Sequence, residues 1–331
     1  MGPRGTQEGD GGMAHDGSAN PVPMALRISL IGKGAWGSTL ARLWAAQGHL
    51  VNTWSRRDGG SPLGLLLDTD LVVVAVSMAA VESLASTLAP DWPSQLPLLS
   101  CSKGIDLEAH CTASQLWRRA LGEQPLAVLS GPNLADELDR GLPAASVIAA
   151  ADPALASWLQ AELRTPNLRL YTNADPIGTE AAGALKNVMA VAAGISDGLG
   201  LGANARASLL CRGLAEIGVV LEALGGQTAT LYGLAGLGDL LATATSSLSR
   251  NQRFGTLLAT GLGEQEALER IGATVEGPRT ARATLALAEG QGLRLPICQQ
   301  VVRLLDGQVD AQGAVRALMG REPRPELPHG G

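Results

Sequence analysis

Residues 26–37 constrain this chain more than any other stretch. A short apolar run, 26–31, ends at Gly32-Lys33-Gly34-Ala35-Trp36-Gly37, and a helical pattern follows from about Trp36 to Gln47. This is a G-x-G-x-x-G with a strand before it and a helix after it, the context that gives a common glycine pattern its meaning as a dinucleotide fingerprint. Gly32 permits the tight turn, Gly34 lets a pyrophosphate approach the backbone, and Gly37 lets helix and strand pack closely. The helix N-terminus then offers free N–H groups and partial positive charge to the phosphates. An ordinary glycine-rich turn is the competing interpretation.

The rest of the chain extends this beginning. Strand-like runs recur at 49–54, 71–76, 96–101, 126–130, 145–149 and 167–171, with helical stretches around 79–89, 107–121 and 153–164. The run at 71–76 is nearly all Val and Leu, as in a central strand buried on both faces. Strands alternating with helices predict an α/β fold built on a doubly wound parallel sheet, a Rossmann domain. After Asp175 the strand runs stop, and Ala, Leu and Gly dominate. Helices are expected at 176–195, 205–224, 252–260, 264–271, 279–289 and 297–305. The predicted organisation is a disordered tail (1–24), a dinucleotide-binding domain (25–175), an all-helical substrate-binding domain (176–320) and a loose Pro-rich tail (321–331).

Composition removes several classes of function. Of 331 residues, 46% are hydrophobic and 17% charged, enough for a sizeable core and too few charges for a disordered chain. The net charge is −6 and aromatics are only 3%, which argues against nucleic-acid binding by backbone attraction or base stacking. With 42 glycines, the core must come from Leu, Ala and Val with backbones packed closely. Cys101, Cys111, Cys211 and Cys298 are scattered, as reduced thiols of a cytoplasmic protein would be. The four histidines show no metal-ligand spacing, so no metal site is expected. No apolar run approaches the ~20 residues of a membrane span. The apolar helices of the second half leave room for a homodimer surface that the sequence does not locate.

The second strand bears on the cofactor. A site that prefers NAD usually places an acid ~20 residues beyond the glycines, on the ribose 2′-hydroxyl. Here the strand ends Trp54-Ser55-Arg56-Arg57. Two guanidiniums suit a 2′-phosphate, which favours NADPH over NADH, unless they are a solvated surface pair.

Three constellations follow in the second half. Lys186 stands in Gly183-Ala184-Leu185-Lys186-Asn187, on a helix of small apolar residues with no polar stripe. Buried there, its pKa would fall and it could act as a general acid/base; on a solvated face it would not. Gly236-Leu237-Gly238-Asp239 puts one carboxylate after a tight bend, either to pair with Lys186 or bind a substrate hydroxyl, or simply to cap a helix. Ser249 and Gln252 have capping-box spacing, so Ser249-Arg250-Asn251 opens a helix that is either merely capped or an anion site. Earlier, Ser102-Lys103-Gly104 and Ser130-Gly131-Pro132-Asn133 follow predicted strands, where ligands of doubly wound sheets bind.

Taken together, these residues resemble the bacterial-type NAD(P)-dependent glycerol-3-phosphate dehydrogenases, from Ile28 to about Leu305. The most specific stretch is Gly233-Leu234-Ala235-Gly236-Leu237-Gly238-Asp239, leading on to Thr243, Ser246 and Ser249-Arg250-Asn251. The resemblance implies hydride transfer between NAD(P)H and dihydroxyacetone phosphate, giving sn-glycerol 3-phosphate for phospholipid synthesis, in a cleft between the two domains. It implies that Lys186 passes a proton to and from the carbonyl oxygen, that Lys103 stabilises charge there, and that Asp239 orients Lys186. Ser249, Arg250 and Asn251 would bind the substrate phosphate region, with Gly131 and Asn133 lining the substrate. Trp36, Ala135, Glu276, Lys103 and Arg250 would lie along the cofactor, with Gly32, Gly34, Gly37, Arg56 and Arg57. Asn133 stands where many members carry a small residue such as Ser, and the segment 58–70 is shorter than usual. A β-hydroxyacid dehydrogenase and a non-catalytic nucleotide sensor are the rival readings.

Overall fold

In the computed structural model, which describes Gly2 and residues 25–323, the chain forms a seven-stranded sheet followed by a helical assembly. The strands are β1 (Arg27–Ile31), β2 (Leu50–Trp54), β3 (Leu71–Val74), β4 (Leu98–Ser100), β5 (Leu126–Ser130), β6 (Ala144–Ala150) and β7 (Leu168–Asn173). Between them lie α1 (Ala35–Ala46), α2 (Val81–Leu88), α3 (Ala113–Leu121), α4 (Ala135–Asp139) and α5 (Pro153–Leu163). The sheet order is β2-β1-β3-β4-β5-β6-β7. The order reverses at β1, so the crevice beyond the carboxyl ends of β1 and β3 is the topological switch point of a Rossmann domain. All four residues of β3 and all five of β5 are buried, as expected of strands covered by helices on both faces.

Two details depart from the sequence-based expectation. β6 runs antiparallel to β5, and β7 runs parallel to β6, so the last two strands oppose the first five. The link from β5 holds only the five-residue α4, too short to cross the sheet as a parallel connection requires. The helix expected at 107–121 starts only at Ala113. Before it, Asp106 Oδ1 accepts the N–H groups of Glu108 and Ala109, and His110 sits at φ +49°. Such side-chain bonds offer the backbone an alternative to helix. The tails assigned to residues 1–24 (Gly2 apart) and 324–331 lie outside the described residues.

The strands give way to helices between Asn173 and Pro176. The second half contains α6 (Pro176–Gly198), α7 (Gly202–Ala223), α8 (Asp239–Thr245), α9 (Arg250–Ala259), α10 (Glu264–Ile271), α11 (Gly277–Gln291), α12 (Pro296–Leu305) and α13 (Ala311–Met319). α8 and α13 went unpredicted. α6 starts on Pro176, with the Asp175 carboxylate accepting the Gly178 N–H at 2.8 Å, and it is buried from Gly178 to Ser196. A helix buried on every side is the axis of its domain. Among the described residues, no helix is long and apolar enough to cross a membrane.

Glycine sets how tightly α9 crosses α6. A Cβ at Gly194 would lie 2.0 Å from the Gln252 carbonyl oxygen, and one at Gly255 2.0 Å from that of Val191. The backbones touch where a side chain would force them apart. Gly255→Ala is therefore expected to cost about 3 kcal/mol through over-packing. All six tryptophans precede α6. In denaturant titrations, the far-UV dichroism midpoint should fall more than the tryptophan-fluorescence midpoint. Two unchanged midpoints would show that these helices can separate without loss.

Candidate active site

The glycine turn has the shape of a phosphate cradle. Gly32 adopts φ +116°, and a Cβ there would lie 2.3 Å from the Ala75 carbonyl oxygen at the end of β3. Gly37 packs on the Gly32 carbonyl, 1.9 Å from where its Cβ would be. Gly34, by contrast, faces open space and caps α1 without a side chain, and the first turn of α1 holds no acid. The N–H groups of that turn are left for an anion, so the residues fit a dinucleotide pyrophosphate.

Around this turn the side chains divide. Arg56 and Arg57 are exposed beyond β2, and among the described residues neither guanidinium makes a hydrogen bond or ion pair. Asp58, which sequence reasoning passed over, accepts hydrogen bonds from Lys33 Nζ (3.0 Å) and from the Ser55 N–H (2.7 Å). These bonds, Lys33 foremost, hold its carboxyl below the usual range. Trp36 packs against the apolar core on the α1 side of the sheet, a cluster that includes Cys101. Ala135 is the half-buried first residue of α4.

Where the sheet domain meets the helical domain lies a cation–anion–cation cluster. Asp239, 1% exposed, follows a wide turn of π-helix, Leu234–Gly238. That turn needs Gly236, where a Cβ would meet the Leu231 carbonyl at 2.1 Å. Asp239 Oδ1 accepts from Lys186 Nζ at 2.5 Å, and Oδ2 accepts from Lys103 Nζ at 2.6 Å. The carboxylate thus serves the lysines and does not cap α8, whose N-cap is Gly238. Lys186, 7% exposed, also donates to Thr243 Oγ1 at 2.7 Å. Lys103 donates to the Gly131 carbonyl at 3.2 Å, and its stem passes over Gly183. Gly131 takes φ +146° against Ser146, and Ser146 in turn donates to Asn133 Oδ1 at 2.6 Å. Burial, with Lys103 nearby, pushes the Lys186 ammonium down to about 8 against the attraction of Asp239. An amine with that pKa can give and regain a proton near neutral pH.

Beside this cluster two helices begin. Ser249 caps α9, its Oγ accepting the Gln252 N–H at 3.2 Å. Asn251 bridges three elements: its Oδ1 accepts the Gly277 N–H of α11, and its Nδ2 donates to Asn187 Oδ1, both at 2.9 Å. Arg250 is exposed on the first turn of α9 and lies near Glu276, the N-cap of α11, whose carboxyl is raised by burial and lowered by Arg250. The structure thus brings Lys103, Gly131, Lys186 and Asp239 into direct contact and joins Asn251 to Asn187, the neighbour of Lys186. Thr243 and Asn187 were missed as site residues. Thr243 follows Asp239 by four positions, one turn of a helix, which was the available signal. Lysine usage was another: only Lys33, Lys103 and Lys186 occur in the whole chain.

A Rossmann domain that meets a helical domain at two lysines sharing one buried carboxylate has the architecture of a two-domain, dinucleotide-dependent oxidoreductase. The comparisons narrow this. The family descriptions "NAD-dependent glycerol-3-phosphate dehydrogenase N-terminus" and "C-terminus" match residues 64–156 and 175–316. Similar chains include the glycerol-3-phosphate dehydrogenase (NAD(P)+) of Synechococcus sp. strain RCC307, 54% identical over 92% of this chain and 100% of that one. The enzyme of the same name from Synechocystis sp. is 46% identical over 91% of this chain and 95% of its own. Among solved structures, glycerol-3-phosphate dehydrogenase from Coxiella burnetii superposes with a TM-score of 0.87 at 33% identity, covering 90% of this chain and 100% of that one. The chain belongs to the NAD-dependent glycerol-3-phosphate dehydrogenase family.

With three lysines, the titration of Lys186 is directly measurable. In protein labelled with 13C at lysine Cε, one of three signals should titrate with a midpoint of about 8. That signal should vanish in Lys186→Arg. A Lys186 signal with a midpoint above 10 would contradict the burial argument.

Proposed function

We propose that this protein reduces dihydroxyacetone phosphate to sn-glycerol 3-phosphate and runs the reverse oxidation, with Lys186 as the proton-transfer group. The observation that carries this reading is the shared, buried Asp239 carboxylate, which holds two ammonium groups side by side where the two domains meet. Gly32, Gly34 and Gly37 would hold the dinucleotide at the N-terminus of α1, with Trp36, Ala135 and Glu276 along its length. When bound, the dihydronicotinamide supplies the hydride. Lys186 donates its proton to the carbonyl oxygen as charge builds there. Lys103 stabilises that charge and holds the substrate, and Asp239 keeps both lysines aimed at one point. Interactions that strengthen as the oxygen gains charge lower the barrier, where uniform binding would not. The start of α9, with Ser249, Arg250 and Asn251, would take the phosphate and so fix the carbonyl by remote binding energy. Gly131 and Asn133 would line the substrate from the sheet side. On this reading residues 25–175 bind the cofactor and residues 176–320 the substrate.

The two directions have opposite pH dependence. Reduction needs the Lys186 ammonium, so it is lost as pH rises through about 8; oxidation needs the free amine and is gained over the same window. NADPH is the favoured cofactor, since Arg56 and Arg57 lie exposed just beyond β2, where a 2′-phosphate would be met. Four free thiols, three of them buried, support a cytoplasmic setting.

Oxidation of NADPH by dihydroxyacetone phosphate, compared with unphosphorylated keto acids, tests the reaction; activity with the keto acids alone would overturn it. Lys186→Ala should lower kcat at least ~100-fold in folded protein, and near-normal turnover would remove Lys186 from the mechanism. Arg56→Ala combined with Arg57→Ala should raise KM for NADPH about tenfold or more while leaving KM for NADH within about twofold. An equal rise for both would place the arginines away from the 2′-phosphate.

A further inference from the structure

The two lysines come from different halves of the chain. Lys186 is carried by α6, and Lys103 by the loop between β4 and α3. Their common contact with Asp239 is made only if that loop keeps a fixed place against α6. At one end, the Lys103 stem crosses Gly183, where a Cβ would lie 3.7 Å from Lys103 Cδ. In the middle, Ile105 leaves the sheet domain and joins the core of the helical domain. At the far end stands Glu180, on α6, 2% exposed.

Glu180 reaches across to the start of α3. Both its oxygens accept the Ser114 N–H at 3.0 Å and Oε2 accepts the Ser114 hydroxyl at 2.5 Å, while the Thr112 and Ser114 hydroxyls are hydrogen-bonded to each other at 3.2 Å. Ser114 is the second residue of α3, so its N–H has no partner inside that helix. The carboxylate also meets the positive end of the α3 dipole. Burial pushes the Glu180 carboxyl up to about 7, with the Ser114 bonds opposing. A carboxylate is an unfavourable group to bury, and an apolar side chain would fill the space at less expense. What it adds over an apolar side chain is direction: it accepts only where α3 presents donors.

We propose that Glu180 is a positioning residue that fixes the Lys103 loop against α6 and so sets the spacing of the two lysines about Asp239. The proposal rests on the function assigned above to Lys186. Glu180 touches neither lysine and acts through the loop. Without the clamp, Lys103 drifts from Asp239, and Lys186 then holds the carboxylate alone. The groups that face Lys186 are Asp239 and Thr243 from α8 and Lys103 from the loop. Losing Lys103 from this set removes a repulsion and raises the Lys186 pKa.

The test is the pH profile of kcat for dihydroxyacetone phosphate reduction in wild type, Glu180→Gln and Ser114→Ala, with folding followed by far-UV dichroism. In Glu180→Gln one of the two accepting oxygens becomes an NH2 that cannot accept from Ser114, and the negative charge at the start of α3 is lost. We expect kcat to fall about tenfold, KM for NADPH to stay within about twofold, and the midpoint of the basic limb to move up by about half a pH unit or more. Ser114→Ala, which removes the hydroxyl bond alone, should move it the same way by less. Should Glu180→Gln fail to fold, Ser114→Ala decides. A merely structural role would lower the active fraction with the midpoint unmoved, and that result overturns the proposal. A wild-type enzyme with no basic limb near pH 8 would instead overturn the role of Lys186.

Discussion

Everything in this molecule converges on the Asp239 carboxylate. Its two oxygens are each committed to a different lysine, one delivered by the sheet domain and one by the helical domain. Two ammonium groups on one carboxylate leave a net positive charge in a buried place. Such an arrangement is costly unless every member is hydrogen-bonded, and here each is: Thr243 takes a further bond from Lys186, and the Gly131 carbonyl one from Lys103. On the proposed mechanism the excess charge is what a developing alkoxide needs, and burial, with Lys103 alongside, lowers the Lys186 pKa to about 8. Chemistry and domain docking therefore depend on the same few bonds.

Glycine is how the chain affords this closeness. The sequence is poor in aromatics, and the helical core is filled by Ala, Leu and Val at short backbone separations. Gly194 and Gly255 let α6 and α9 touch, Gly183 lets α6 sit against Ser130 at the end of β5, and Gly236 shapes the turn before Asp239. In each case a Cβ would collide with a neighbouring element: the α6 or α9 backbone, the Ser130 hydroxyl or the Leu231 carbonyl. The glycine content is thus a condition of the active-site geometry as well as of the fold.

The sheet domain was legible because its signals are local. The strand–glycine–helix unit at β1 and α1 and the all-Val/Leu run of β3 announce themselves within a few residues. The direction of β6 was not legible, since it depends on whether a short link crosses the sheet, and α4 was too short to be seen. At the site, sequence could pose the alternatives for Lys186 and Asp239 but not decide them. Burial of Lys186 is a property of α6 surrounded by other helices, and Asp239 could have capped α8 as well as paired. Asn251 shows the limit from the other side. The capping pattern around Ser249 was visible, but the bridge from Asn251 to Asn187 and Gly277 joins residues up to 90 positions apart.

The choice between lysine and arginine follows the same physics. Three of the 25 basic residues are lysines, and two of these form the buried cluster while the third sits in the glycine turn against Asp58. Apart from the Lys33–Asp58 pair, the surface ion pairs among the described residues, such as those of Arg282 with Glu264 and Asp306, are made by arginine. A guanidinium stays charged and offers a planar fork, which suits carboxylates and phosphates. It cannot release a proton at accessible pH. An ammonium is compact enough for two to share one carboxylate, and burial shifts its pKa readily. The place where two cations share a single carboxylate, and where the proposed mechanism moves a proton, is therefore filled by lysine. In this chain arginine has taken nearly every other basic position.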